Sequence, residues 1–249
     1  MPELTPLRER WLERGNNLAL KGTILVSPEG VNVALSGPVA TVELFEREIC
    51  SELRITPLTK HSFSEASAFK RYLIKIKPEI ITLRAPHIDP NRETGKRLHP
   101  QELKAWLDQG KDVVLVDTRN TFEAKFGTFH DAVVFDEFQS FNQFPQMLDS
   151  LPAADQDKPV VMFCTGGIRC EKATALAMTK GFRHVYQLEG GILKYFEDCG
   201  AAHYDGNCFV FDERIAVDPE LKAVKGISRE LLAGASIKPT DAGEGEAEE

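Results

Sequence analysis

Apolar residues recur at helical spacing near the start of the chain, where Leu7, Trp11 and Leu12 fall on one side of residues 5–15. The rhythm then shortens. Gly22-Thr-Ile-Leu-Val-Ser27 and Val31-Asn-Val-Ala-Leu35 read as two strands, and Pro28-Glu29-Gly30 supplies a tight turn between them. Gly37-Pro38 breaks that pattern. Val42, Phe45, Ile49 and Leu53 restore helical spacing over 39–53, with Thr41 as the expected cap. Strand-like stretches follow at 54–59 and at Tyr72-Leu-Ile-Lys-Ile-Lys77. These elements predict a small α+β domain over residues 1–85, and Pro86, Pro90, Asn91 and Gly95 mark 86–97 as a linker.

The second half has a different pattern. Val113-Val-Leu-Val116 and Pro159-Val-Val-Met-Phe163 are unbroken apolar runs, as in strands covered on both faces of a parallel sheet. Shorter strands are expected at Ala132-Val-Val134 and His184-Val-Tyr-Gln187. Helices are expected at 100–107, stopped by Gly110, and at 121–126. Others surround Phe144 and Leu148, run from Ile168 to Lys180 before Gly181, and start again at Gly190. Strands alternating with helices predict an α/β domain with a parallel sheet over 98–200. Residues 201–249 read as a C-terminal extension, and its acidic end, Asp241 to Glu249, has the composition of a disordered tail.

Composition narrows the compartment. No apolar run among the 249 residues approaches the length of a membrane span. Met1-Pro2-Glu3-Leu4-Thr5 lacks the basic start and apolar stretch of a signal peptide, so a cytoplasmic location is expected. The 5 cysteines are odd in number and irregularly spaced, which argues against a disulfide framework. In a reducing compartment such thiols fill cores, bind metals or do chemistry. The net charge of −8 speaks against a broad nucleic-acid surface, yet the stretch from Lys60 to Lys104 leans basic.

The chemistry concentrates at Cys164-Thr165-Gly166-Gly167-Ile168-Arg169. Ligands gather at the carboxyl ends of strands in parallel sheets, and Cys164 follows the apolar strand ending at Phe163. Amides at the start of the next helix can point inward as an anion cradle. Gly166 and Gly167 permit the curled backbone, and Arg169 adds a fixed positive charge. Such surroundings favour the nucleophilic thiolate over an inert buried cysteine, and they would equally hold a persulfide. A phosphatase loop places five residues between its Cys and Arg; here there are four, so the ring suits a sulfur-sized group better.

Other candidates keep two readings. Asp117 and Arg119, after the strand Val113–Val116, either frame the site or form a salt-bridge network that holds the domain. Cys170 is either a resolving thiol for disulfide exchange or a small residue tucked beneath the loop. Cys199, His203 and Cys208 can be drawn as a metal site, but three ligands without a tight Cys-x-x-Cys turn are a poor match, and no metal is assigned. Lys70, Arg71, Lys75 and Lys77 alternate with Tyr72, Ile74 and Ile76, so a strand would place most of its basic groups on one face. That face is either a plain solvated surface or one that tracks RNA phosphates.

Cys164-Thr-Gly-Gly-Ile-Arg-Cys-Glu-Lys172, Tyr186-Gln-Leu-Glu-Gly-Gly-Ile-Leu193 and Cys208-Phe-Val-Phe-Asp-Glu-Arg214 resemble the rhodanese-type tRNA uridine hydroxylases, a branch of the rhodanese superfamily. Gly22-Thr-Ile-Leu-Val, Glu29-Gly-Val-Asn32 and Phe69 to Ile81 are similar to the upstream part of that family. The resemblance implies an acylphosphatase-type, ferredoxin-like first domain and a rhodanese-like second one. It also implies a further strand before the first helix, so the first sheet is expected to lack one strand. The superfamily's usual histidine after the glycine is here Thr128. By the same resemblance Cys164 would form the persulfide, and the reaction would be 5-hydroxylation of the wobble uridine, position 34, in the tRNA anticodon loop. Molecular oxygen would be cosubstrate; no other cofactor is identified. A persulfide sulfurtransferase is the alternative that the loop alone would support. A non-catalytic rhodanese-like binding module is a further one, against which the intact Cys164 and Arg169 speak.

Overall fold

The structure is a computed structural model describing residues 3–57, 59–64 and 66–227; the acidic tail lies outside the described residues. The chain divides into two compact units, Met1–Ile80 and Ile81–Glu249.

The first unit runs α1 (Leu4–Asn17), β1 (Lys21–Ser27), β2 (Gly30–Ser36), α2 (Val39–Leu53) and β3 (Tyr72–Ile76). Its sheet has the order β2-β1-β3, with β2 antiparallel and β3 parallel to the central strand. Ile24, Val26 and Ile74 pack with Leu7 and Trp11 of α1 and Phe45 and Ile49 of α2 in one apolar cluster. Strand alternation sends Lys21, Thr23, Leu25, Leu73 and Lys75 to the opposite face. Two local expectations are corrected. Pro38, not Thr41, caps α2, and the Thr41 hydroxyl donates back to the Pro38 carbonyl at 2.8 Å. The described residues of 54–59, which leave out 58, form no strand: Arg54 turns left-handed (φ 56°) to end α2, and Ile55 is left 40% exposed.

The second unit opens with β4 (Lys96–Leu98), α3 (Pro100–Asp108), β5 (Val114–Asp117), α4 (Thr121–Ala124) and β6 (Gly127–Phe129). It continues with α5 (Phe144–Asp149), β7 (Pro159–Phe163), α6 (Ile168–Thr179), β8 (His184–Leu188) and α7 (Gly191–Cys199). Three short strands close it: β9 (Tyr204–Gly206), β10 (Cys208–Phe209) and β11 (Ala216–Val217). The main sheet, ordered β4-β8-β7-β5, is parallel throughout. Successive residues of β5 and β7 feed two different clusters. Val114, Val116, Val160 and Met162 join one, while Leu115, Val161 and Phe163 join the other. Unbroken apolar runs are what a doubly covered sheet requires.

Two further segments depart from the sequence reading. Ala132-Val-Val134 contributes a single bridge, Val133 against Val116, with hydrogen bonds from Asp117 N–H to Val133 O and from Val133 N–H to Leu115 O. Left-handed Asp131 and Glu137 turn the chain away on either side. Lys96 and Arg97, assigned above to the linker, form with Leu98 an edge strand paired to β8. Beyond residue 200, Tyr204, Cys208, Val210 and Val217 are core residues of this unit.

Phe129 is central to that packing: its ring meets Phe163, Tyr195 and Tyr204 at centroid distances of 4.9, 4.7 and 5.2 Å. Phe129→Ala is therefore expected to destabilise this unit by about 3–5 kcal/mol, read from the shift of its urea midpoint. A shift worth under about 1 kcal/mol would contradict the close packing described.

Candidate functional site

β7 delivers Cys164 at its carboxyl end, 1% exposed. The chain then curls through Thr165 and Gly166 to Gly167, whose positive φ of 96° caps α6. Only glycine takes that conformation without strain. The curl points the Gly167 amide at the sulfur, N to Sγ 3.1 Å. The loop's carbonyls have other partners: Ile192 N–H donates to Cys164 O at 3.0 Å and Leu193 N–H to Thr165 O at 3.1 Å. Both donors lie at the start of α7, after Gly190 and Gly191. A side chain on Gly191 would put its Cβ 2.4 Å from Cys164 O, and its φ is +65°. The Gly190-Gly191 pair thus allows the close seating of α7 against the loop.

Arg169 lies in the first turn of α6 and is buried. Its guanidinium forks onto Glu123, Nη1 to Oε2 at 2.6 Å and Nη2 to Oε1 at 2.7 Å. Glu123 is fully buried and also accepts the Asn120 amide at 2.9 Å, which ties α4 to α6 beneath the loop. The sequence reading named no partner for Arg169. A carboxylate 46 residues away has no local spacing to reveal it.

Burial by itself pushes the Cys164 thiol up. The hydrogen bond from Cys170, the charge of Arg169 and the Arg169 and Gly167 amides outweigh it and bring the pKa down to about 5. Cys170 goes the other way: buried and facing the Cys164 sulfur, it is held well above an ordinary thiol. Cys170 therefore keeps its proton and donates it toward Cys164. Its other neighbour, Thr118 Oγ1, is 3.7 Å away and also donates to Phe163 O at 3.0 Å. The remaining thiols, Cys50, Cys199 and Cys208, are all raised, each first by burial, Cys208 to about 12. Of the 5 cysteines, Cys164 alone is a thiolate at neutral pH.

Asp117 and Arg119 form a second fork, fully buried, at 2.6 and 2.9 Å. Arg119 Nη2 also donates to Gly127 O at 2.6 Å, and the Thr128 hydroxyl to Asp117 Oδ2 at 2.9 Å. This network joins the end of β5 to β6. Cys199, His203 and Cys208 do not converge: His203 Nε2 sits 2.7 Å from Asp108 Oδ1, and no metal-holding group of three exists among the described residues. In the first unit, Lys75 lies on the sheet face opposite the helices, with Arg71 and Lys77 in phase with it just beyond the ends of β3. Lys21, unremarked in the sequence, comes from β1 to the same face, beside Arg71. Lys70 is exposed and out of phase with them.

Residues 1–80 match the family model described as a UPF0176 acylphosphatase like domain, and residues 99–198 match the rhodanese-like domain. The tRNA uridine(34) hydroxylase of Cupriavidus necator is 46% identical over 228 residues, covering 89% of this chain and 80% of that protein. That of Delftia acidovorans is 45% identical over 227 residues, covering 89% and 86%. That of Bordetella parapertussis is 45% identical over 216 residues, covering 86% and 90%.

Because the thiolate is the reacting form, the rate of Cys164 alkylation should rise tenfold per pH unit below about 5 and level off above it. Cys170→Ala removes a hydrogen bond to a charged group, a loss of about 1.5–3 kcal/mol. The midpoint should then rise by about 1–2 pH units. Cys170→Ser should move it less. Iodoacetamide rates with mass mapping of the labelled residue check both. A midpoint above pH 8 in the parent protein, or label on Cys170 first, would reverse the assignment.

Proposed function

The chain belongs to the tRNA uridine(34) hydroxylase family, and we propose that it hydroxylates C5 of uridine 34 in the tRNA anticodon loop with molecular oxygen as cosubstrate. One oxygen atom enters the C5–H bond, and the other leaves as water with two electrons and two protons from an external reductant. The observation that carries this reading is one activated thiolate, Cys164, held by the Gly167 and Arg169 amides at the end of a rhodanese-type sheet, in a chain nearly half identical to named hydroxylases. Cys164 is the reactive group and the candidate carrier of a persulfide. Arg169 is the positioning charge, held by Glu123. Thr165, Gly166, Gly167 and Ile168 shape the loop. Cys170 is a hydrogen-bond donor to the sulfur. Asp117 and Arg119 act one step back, by holding β5 to β6. The loop alone would also suit persulfide transfer; the named relatives favour hydroxylation.

A direct test incubates the purified protein with tRNA lacking the modification and an added two-electron reductant, in air and under nitrogen, and measures 5-hydroxyuridine after digestion to nucleosides. Product is expected in air only, and Cys164→Ala should lower its yield at least 100-fold. Turnover in thorough anoxia would remove oxygen as cosubstrate. Undiminished turnover by Cys164→Ala would remove the thiol.

An acidic protein has to hold tRNA locally, because its overall charge of −8 repels phosphate at long range. The face carrying Lys21, Arg71, Lys75 and Lys77, with Lys70 nearby, is the basic surface available for the phosphate backbone. Lys75→Glu with Lys77→Glu should weaken tRNA binding and lower the slope of log affinity against log salt by about 0.7–0.9 for each phosphate no longer neutralised. Cys164 alkylation should be unchanged. Equal binding by the double variant across a salt titration would place the RNA surface elsewhere.

A further inference from the structure

Next to the reactive loop lies an aromatic group that none of the chemistry above uses. β10 and the residues after it run past Thr165, whose hydroxyl donates to Phe209 O at 3.2 Å. Phe209 is buried, and three other rings surround it: Phe122 at 5.1 Å, Phe126 at 5.4 Å and Phe211 at 5.0 Å between centroids. Phe122 and Phe126 are half-buried. Phe211 is 42% exposed, and among the described residues of the second unit no other phenylalanine, tyrosine or tryptophan is exposed to that degree. It is also held in place. Phe209 supports it edge-on at 90°, and the Arg169 guanidinium carbon lies 5.9 Å from its centroid. One ring is thus presented to solvent, backed by buried aromatics, one guanidinium away from the Cys164 loop.

A packing role does not call for such exposure. Leaving 42% of a large apolar ring in water forfeits a substantial part of the stabilisation that full burial would bring. The position suits a flat, apolar-faced partner that arrives from solvent. Bases in single-stranded RNA loops are read by being splayed out and stacked on aromatic side chains, and such stacking is strong even without hydrogen bonds. We propose that Phe211 is the stacking platform for the nucleobase at position 34, which it holds beside the Cys164 loop. Phe209, Phe122 and Phe126 form its support. This rests on the hydroxylase reading and adds the residue that positions the substrate. It also assigns a role to β10 and Phe211 that does not depend on the thiol.

The test crosses two changes. Anticodon stem-loop RNAs carrying either uridine or an abasic residue at position 34 are titrated by anisotropy against the parent protein, Phe211→Ala and Phe211→Tyr. The parent should bind the uridine RNA about 5–140-fold more tightly than the abasic RNA, the range that base–aromatic stacking spans. Phe211→Ala should abolish that preference and Phe211→Tyr should keep it. Cys164 alkylation should be the same in all three proteins, because the ring does not set the thiolate. No preference in the parent would overturn the platform, and so would equal losses on both RNAs in Phe211→Ala. Slowed Cys164 alkylation in Phe211→Ala would instead make the ring a cover for the Arg169–Glu123 pair, which also overturns it. Turnover of the uridine RNA by the parent protein, followed separately, tests the hydroxylase reading. A parent that shows the base preference without forming product would fail that reading alone.

Discussion

A thiolate enclosed at the end of a parallel sheet needs donors that are fixed before the charge appears, because water cannot move in to solvate it. In this protein that requirement shapes everything around Cys164. The Gly167 amide reaches the sulfur only because the backbone there adopts φ 96°. The carbonyls that would repel an anion are occupied by amides of α7, which approaches closely only because Gly191 has no side chain. Cys170 supplies a proton that it holds more firmly as Cys164 gives up its own. The groups that favour the charge all come from the start of α6 and its cap, while α7 occupies the loop's carbonyls and β7 carries the sulfur, so the charge is stable only when the three are seated together.

The Arg169–Glu123 fork extends this inward. An arginine alone beneath the loop would be an uncompensated buried charge, and so would the glutamate. Paired, they cost less, and the guanidinium still faces Cys164 closely enough to favour the thiolate. The Asp117–Arg119 fork repeats the device at the end of β5. Buried pairs of this kind contribute little net stability, but removing one partner is costly. Their value here is positional: two forks and a capped helix pin α4, α6 and the β5–β6 connection around one sulfur.

The parts of this legible in the sequence were local ones. The glycine pair, the arginine and the apolar strand before Cys164 lie within a dozen residues, and their spacing alone indicates an anion-holding turn. The doubly covered strands were equally plain, since burial on both faces removes alternation from Val113–Val116 and Pro159–Phe163. Long-range pairing was not legible. Glu123 looked like an ordinary helix residue, Lys96–Leu98 is too short and too basic to read as a strand, and Val133 makes a single bridge between two left-handed turns. The 54–59 stretch failed for the opposite reason: its composition suited a strand, but Arg54 ends α2 left-handed and no partner strand takes up the segment. Phe211 lies within the Cys208–Arg214 motif, but its packing against Phe209 and Arg169 is a contact that the motif does not reveal.

Burial of Cys164 to 1% exposure sets a geometric condition on the proposed chemistry. A nucleobase is too large to reach a sulfur that its own loop encloses. A persulfide carries the reactive atom outward by one S–S bond, about 2 Å, while the amides that hold the inner sulfur stay where they are. In the proposed persulfide the inner sulfur would serve as an anchor and the outer one would extend toward the rim, where the loop's Thr165 meets Phe209. A loop sized for a thiolate is, on this argument, also sized to present one further sulfur to a base held outside. The donors around Cys164 lower its pKa in spite of the enclosure, which by itself would raise it. Burial and reactivity are therefore compatible here, provided that the substrate comes to the rim and the sulfur extends to meet it.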